Sequence, residues 1–123
     1  KYKSSVMASM KVNKKNVSRW GIFKVKQHLP KNNFLIANVV EKPSVKSAPS
    51  NNAVIGRYIL PKKIFNNLKN QKKGKGGEVH ITDAIQSLIL NNNKFVGHNF
   101  AGKYLDCGTL KGYIDSSNKI SKL

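Results

Sequence analysis

Two apolar segments, each followed closely by a proline, restrict how this chain can fold. Residues 34–41 and 53–60 are mostly apolar and rich in the β-branched and aromatic side chains that strands prefer. Near-continuous apolar runs of this kind are typical of strands that are buried inside a sheet. Pro43 stops the first segment, whereas Pro61 follows the second at a position that favours the first residue of a helix. We therefore expect a core built around these two strands.

The rest of the chain alternates between extended and helical patterns. Further strands are expected at residues 5–12, 20–25, 78–81, 95–100 and 104–107. Helices are expected from Pro61, from Thr82 as an N-cap, and over residues 109–120. The apolar faces of the first two helices would be Ile64, Phe65 and Leu68, and then Ile85, Leu88 and Ile89. Because strands and helices interleave without an internal repeat, the sequence predicts one α/β domain over residues 1–123 with a mixed sheet.

The net charge of +18 raises the alternative of a small basic nucleic-acid-binding protein. The basic residues are 21 Lys and only two Arg, Arg19 and Arg57. Arg is the residue that makes bidentate contacts with phosphates and bases, so its scarcity disfavours this alternative. The lysines are also spread along the whole chain. We interpret the charge as a solvated surface, while the alternative predicts binding whose affinity falls steeply with salt.

Simple counts exclude or disfavour several classes of protein. Cys107 is the single cysteine, so an internal disulfide and a cysteine-rich zinc site are excluded. The longest apolar stretch, residues 34–40, contains Asn38 and is far too short to span a bilayer. No signal-peptide pattern opens the chain. We therefore expect no membrane partner and a cytoplasmic location, and Lys at position 1 favours a start farther upstream.

The densest chemical signal is the acid–base pair Glu41-Lys42, immediately before Pro43. The pair lies where a buried strand ends, and ligands of α/β sheets bind at strand ends. A carboxylate here can accept hydrogen bonds from sugar hydroxyls, and an ammonium group can bind a phosphate. Pro43 is expected to hold Lys42 extended, although in a regular strand the two side chains would point to opposite faces. The alternative is an ordinary surface pair before a turn.

The segment around this pair resembles the sugar-phosphate-binding stretch of the bacterial UTP–glucose-1-phosphate uridylyltransferases. The resemblance is carried by VVEKP at residues 39–43 and APSNNAVIGRY at residues 48–58. Three further stretches occur in the same order as in that family: NVSRWGI at 16–22, GGEVHITDAI at 76–85 and YLDCG at 104–108. Each motif is short, but the set is specific because the motifs keep their order over most of the chain.

The resemblance implies a Rossmann-like nucleotidyltransferase. In that family an oxygen of the sugar phosphate attacks the α-phosphorus of the nucleotide, Mg²⁺ assists, and pyrophosphate leaves. UTP and glucose 1-phosphate would thus give UDP-glucose. Such chemistry depends mostly on positioning and charge stabilisation. A thymidylyltransferase-like pyrophosphorylase is the alternative within the same class.

The resemblance also implies roles for individual residues in binding the substrate. Gly21 would contact the sugar through its backbone. Glu41 would hold sugar hydroxyls, and Lys42 would hold the phosphate. Val54 and Tyr58 would line the sugar pocket.

Asp106 resembles an acid that helps to bind the metal in related thymidylyltransferases, so we expect it to be a Mg²⁺ ligand. The N-terminal Gly-rich loop of the family, with its Arg, does not occur in this sequence, and neither does the first metal-binding aspartate. The chain therefore resembles only the C-terminal, sugar-phosphate-binding half of the domain, without a catalytic residue of its own. We expect it to be inactive alone, and the full-length form is a candidate homo-oligomer.

Overall fold

The computed structural model describes residues 4–123 as five strands and three α-helices. The strands are β1 (Ser5–Lys11), β2 (Gly21–Leu29), β3 (Asn33–Glu41), β4 (Asn52–Ile59) and β5 (Phe95–Asn99). The helices are α1 (Ile64–Asn70), α2 (Ile81–Leu90) and α3 (Leu110–Ile120), with short 3-10 helices at Lys14–Arg19 and Lys75–Gly77. None of the helices in this range is long and apolar enough to cross a bilayer.

The five strands form one mixed sheet in the order β1-β4-β2-β3-β5. The sheet closes on itself because β5 runs antiparallel to β3 and parallel to β1, while the other pairs are antiparallel. The mixed α/β architecture predicted from the sequence is confirmed. The closure was not predicted, because it depends on pairs between distant segments, such as Ser5 with Phe95, that no local pattern indicates.

The main core joins the sheet to helices α1 and α2. Phe23, Phe34 and Phe95 are completely buried. The rings of Phe23 and Phe34 meet edge to face with their centroids 5.6 Å apart, a favoured arrangement for aromatic pairs. Ile85 and Leu88 of α2 are also buried in this core, which confirms the apolar face predicted for that helix.

Two of the predicted strands are wrong. Residues 78–80 have no regular secondary structure, and Ile81 begins α2 instead of ending a strand. Residues 104–107 are also irregular. Neither segment pairs with a strand of the sheet, and without a hydrogen-bonded neighbour a short apolar sequence does not form a strand. In contrast, β2 continues past the predicted end at Val25 to Leu29, because it pairs with β3 along this whole length.

The first helix begins later than predicted. Pro61 lies in a turn in which the Ile64 N–H donates to the Pro61 carbonyl at 2.9 Å, and α1 starts at Ile64. Ile64 and Leu68 pack on the core one turn apart. Phe65, predicted on the same face, is 68% exposed, because the next residue of a helix is rotated by about 100° from its neighbour.

The start of α3 agrees with the sequence prediction, whereas the N-cap of α2 does not. The prediction of Thr82 as the N-cap of α2 is wrong: the N-cap is His80, and Thr82 is the second residue of the helix. The Thr82 hydroxyl donates a hydrogen bond to Glu41. The helix predicted over residues 109–120 is confirmed as α3. Thr109 is its N-cap and accepts a hydrogen bond from the Gly112 N–H at 3.0 Å.

Gly97 in β5 is a position at which the sheet has no space for a side chain. It pairs with Phe34 of β3, and a Cβ atom there would overlap the buried Phe34 ring. We expect Gly97→Ala to lower the free energy of unfolding by about 1–3 kcal/mol, the usual range for overpacking, in denaturant titrations. Ser87→Ala on the exposed side of α2 is the control and should change it by less than about 0.5 kcal/mol. Equal stability of Gly97→Ala and the native chain would contradict this packing.

Candidate functional site

The site begins at Gly21, where three elements of the fold meet. Gly21 opens β2, is buried, and pairs with Glu41 at the end of β3. A Cβ atom at Gly21 would lie 3.1 Å from the Glu41 Oε2 atom and 3.1 Å from the Thr82 Cγ2 atom, with Val54 at 3.3 Å. Glycine is therefore the residue that lets the end of β3, the start of α2 and strand β4 approach one another so closely.

These elements enclose a cavity of about 240 Å³, called the Glu41 cavity below. It is lined by Arg19, Trp20, Gly21, Glu41, Val54, Tyr58, His80, Ile81 and Thr82. The Thr82 hydroxyl donates a hydrogen bond to Glu41 Oε2 at 3.0 Å, which fixes the carboxylate at the wall. A carboxylate has about four lone-pair sites, so Glu41 keeps the capacity to accept further hydrogen bonds.

Tyr58 reaches the Glu41 cavity from β4. Burial raises the pKa of its phenol above the ordinary value, and the nearby negative charge of Glu41 and the Tyr104 phenol raise the pKa further. A tyrosine phenol is ordinarily protonated at neutral pH, and this shift favours the protonated form further. A protonated phenol can both donate and accept a hydrogen bond, which suits it to a ligand that carries hydroxyl groups.

Four of the five substrate-binding residues predicted from the sequence line this one cavity, and Lys42 does not. The prediction that Pro43 holds Lys42 extended is wrong, since Lys42 has a φ of 43° in the left-handed region. Its N–H donates to the Trp20 carbonyl at 3.0 Å, which continues the β2–β3 pairing by one residue. The strand thus leaves regular geometry at Lys42, and the side chain is exposed.

Asp106, the predicted metal ligand, lies in a neighbouring cavity of about 220 Å³, called the Asp106 cavity. This cavity is lined by Arg19, Tyr104, Asp106, Thr109, Lys111, Gly112, Asp115, Ser116 and Lys119. Asp106 Oδ2 accepts a bond from Arg19 Nη2 at 3.0 Å, and Oδ1 accepts one from the Gly108 N–H at 3.0 Å. Arg19 lines both cavities and so connects them.

The two cavities are also held together by aromatic packing. The rings of Trp20 and Tyr104 meet edge to face with their centroids 5.1 Å apart, and the Arg19 guanidinium carbon lies 6.0 Å from the centre of the Trp20 ring. Trp20 thus serves as packing between the two loops. Arg19 and Thr82 were not predicted as site residues, although Arg19 is one of two arginines and directly precedes the Trp20-Gly21 pair.

Residues 4–123 supply only part of a binding site for a divalent metal. No cluster of three or more His, Cys, Asp or Glu side chains is found there. Mg²⁺ is usually bound by one or two carboxylates together with substrate phosphates, so Asp106 could supply one ligand. Each of its oxygens accepts one hydrogen bond and keeps a second lone pair, which a metal could use.

Larger surface depressions lie elsewhere but lack an acidic group. One of about 610 Å³ lies near the end of β4, and one of about 590 Å³ lies between β3 and the end of α2. Both are lined by Lys and Asn beside apolar residues. They offer no carboxylate that could hold sugar hydroxyls or a metal, so the smaller Glu41 and Asp106 cavities are the better candidates.

Comparison with known proteins shows the family of this chain. The sequence matches the family described as "Nucleotidyl transferase" over residues 1–122. The UTP–glucose-1-phosphate uridylyltransferase of Pseudomonas aeruginosa is 36% identical over 118 residues, which make up 96% of this chain and 42% of the relative. A crystal structure of UDP-glucose pyrophosphorylase complexed with UDP-glucose superposes with a TM-score of 0.92 at 40% identity, covering 99% of this chain and 46% of that chain. The UTP-bound enzyme of Acinetobacter baumannii gives a TM-score of 0.80 at 31% identity, covering 97% and 40%.

The chain thus spans less than half the length of the relatives it matches, but the match extends over nearly all of its own residues. The resemblance recognised in the sequence motifs is confirmed by the family match and by the superposition. The chain belongs to the nucleotidyl transferase family, as a member of the UTP–glucose-1-phosphate uridylyltransferase type that spans only part of its relatives' length.

Proposed function

We propose that residues 1–123 form the C-terminal, sugar-phosphate-binding portion of a Rossmann-like nucleotidyltransferase. The full protein would make UDP-glucose and pyrophosphate from UTP and glucose 1-phosphate. The observation that carries the proposal is that Gly21, Glu41, Val54 and Tyr58, far apart in the sequence, line one cavity. The relatives solved with UDP-glucose and with UTP support the choice of substrates.

The Glu41 cavity would bind the hexose of glucose 1-phosphate and of UDP-glucose. The Glu41 carboxylate accepts hydrogen bonds from sugar hydroxyls, each worth about 1.5–3 kcal/mol because the acceptor is charged. Tyr58, which is protonated, can donate to a further hydroxyl, and Gly21, in the wall of the cavity, would contact the sugar ring through its backbone. Lys42, next to this cavity at the bend of the chain, would bind the phosphate at its rim.

Mg²⁺ is the cofactor proposed for the full protein, since nucleotidyl transferases of this family typically use a divalent metal. When bound, it would neutralise charge on the phosphate groups. Asp106 would be one ligand, through the lone pairs that its bonds to Arg19 and the Gly108 N–H leave unused. A second carboxylate would come from the part of the protein that this chain does not span.

The surface of α3 supports the proposal that the chain works within a longer protein. Leu110, Tyr113, Ile114 and Ile120 are 78%, 59%, 49% and 56% exposed, and only Ser116 of this helix is buried. Large exposed apolar faces usually mark surfaces that contact another part of the protein or a partner. The remaining portion of a full-length enzyme would cover this face, and a homo-oligomer of that enzyme is a further proposal.

Binding of UDP-glucose to the native chain tests the proposed role of Glu41. Glu41→Gln removes the negative charge but preserves the shape, so we expect the Kd to rise by about tenfold to a hundredfold, the equivalent of one charged hydrogen bond. Titration by heteronuclear NMR would measure the Kd and map the shifts onto the Gly21 and Thr82 amides. Glu78→Gln is the control, because Glu78 is exposed and lines neither cavity. Unchanged affinity in Glu41→Gln would contradict the proposal.

Turnover tests whether the chain is complete as an enzyme. With UTP, glucose 1-phosphate and Mg²⁺, the 123-residue chain should release no pyrophosphate, because its sequence lacks the Gly-rich loop that would hold the triphosphate. A coupled pyrophosphate assay measures this, with the Pseudomonas aeruginosa relative as the positive control. Release of pyrophosphate by purified chain, abolished by Glu41→Gln, would show that the residues present suffice for catalysis.

A further inference from the structure

Arg19 lies within the NVSRWGI motif, but the proposed function gives it no role in binding the substrate. It is the last residue of the 3-10 helix Lys14–Arg19, and its side chain lines both the Glu41 cavity and the Asp106 cavity. A ligand that filled the Glu41 cavity and extended toward the Asp106 cavity would pass this side chain. The junction of the two cavities is therefore where the charged end of an elongated ligand would lie.

The guanidinium of Arg19 is oriented by its neighbours but keeps donors for a ligand. Its bond to Asp106 uses Nη2, whereas a guanidinium carries five N–H donors in a fixed plane. The side chain is 55% exposed, so those donors can be reached from the cavities. The Trp20 ring beside it restricts the positions that the guanidinium can take. An oriented, partly exposed guanidinium is well suited to bidentate binding of a phosphate.

Other cations near the junction are less well placed. Lys42 lines neither cavity. Lys111 is 86% exposed and pairs with Asp115 on its own helix at 3.1 Å. Arg57, the second arginine, lines neither cavity and bonds to the Gly56 carbonyl at 3.3 Å. Of these four residues, Arg19 is the one that shares a wall with the Glu41 carboxylate.

We propose that Arg19 is a second cationic ligand, in addition to Lys42, of the phosphate of the sugar phosphate, and that Asp106 positions the Arg19 guanidinium for this contact. The proposal rests on the proposed function, because it takes the hexose to lie in the Glu41 cavity. Glu41 would bind the hydroxyls of the sugar, while Arg19 and Lys42 would bind the phosphate attached to it. Arg19 would thus strengthen the preference for a phosphorylated sugar over a free one.

The test compares three ligands on the 123-residue chain by NMR titration in EDTA, which removes any contribution from a metal. The ligands are glucose, glucose 1-phosphate and inorganic phosphate. We expect glucose 1-phosphate to bind at least about tenfold more tightly than glucose, as a charge-assisted phosphate contact implies. Arg19→Ala should lower this ratio markedly while leaving the weaker glucose affinity unchanged, and Arg19→Lys should restore only part of it. Arg57→Ala should keep the native ratio.

Each other outcome overturns a defined part of the account. A ratio that survives Arg19→Ala overturns the role of Arg19 and leaves the proposed function intact. Failure of all three ligands to bind native chain, with the fold preserved, overturns the proposed function and the role of Arg19 together. Phosphate binding that equals that of glucose 1-phosphate, without shifts at Gly21, shows a general anion site and overturns the link to the sugar.

Asp106→Asn distinguishes the positioning of Arg19 by Asp106 from the electrostatic effect of the Asp106 charge on the bound phosphate. Loss of a carboxylate beside Arg19 makes the junction more positive, so electrostatics alone predicts tighter binding of glucose 1-phosphate. The positioning role predicts weaker binding, because a neutral amide holds the guanidinium less firmly. Tighter binding in Asp106→Asn would overturn the positioning role. A merely structural role would change the affinity for glucose and for glucose 1-phosphate equally, which the ratio detects.

Discussion

The close approach of three elements at Gly21 is the constraint on which the candidate site depends. Any larger side chain at this position would press against the Glu41 carboxylate, the Thr82 methyl group and Val54 at 3.1–3.3 Å. The bare backbone lets the Thr82 hydroxyl reach Glu41, so that a carboxylate at the end of β3 is fixed by the first turn of α2. The closed sheet supplies the rigid frame, because β2, which carries Gly21, pairs with β3 along its whole length.

The proposed site in the Glu41 and Asp106 cavities contains few charged side chains, whereas the chain as a whole is rich in lysine. The chain has only five acidic residues against 23 basic ones. Three of the five, Glu41, Asp106 and Asp115, line the two adjacent cavities, and each accepts at least one specific hydrogen bond. Lys111 and Lys119 line the Asp106 cavity alone, whereas Arg19 lines both cavities. Recognition of a sugar phosphate would thus depend on a few oriented charges and not on the net charge of +18.

The sequence was sufficient for the features that are encoded locally. The apolar segments gave β3 and β4, the alternation gave β1, and Thr109 marked the start of α3. Motif order also predicted a site whose members Gly21, Glu41, Val54 and Tyr58 share a cavity. Features set by tertiary contacts were missed: the closure of the sheet through β5, the left-handed Lys42 held by the Trp20 carbonyl, and the use of Thr82 to fix Glu41 instead of capping α2. The place of Arg19 in the site was not predicted, because its partner Asp106 lies 87 residues away in the sequence.

A crystal structure of this chain with UDP-glucose bound would test the central claim most directly. The account predicts hexose hydroxyls within about 2.5–3.2 Å of the Glu41 carboxylate oxygens, the range of a genuine hydrogen bond, with the ring beside the Gly21 backbone. It also predicts that the diphosphate extends from the Glu41 cavity toward Arg19. UDP-glucose bound at another surface, with the Thr82–Glu41 bond unchanged and no sugar in the cavity, would contradict the claim that this strand end recognises the hexose.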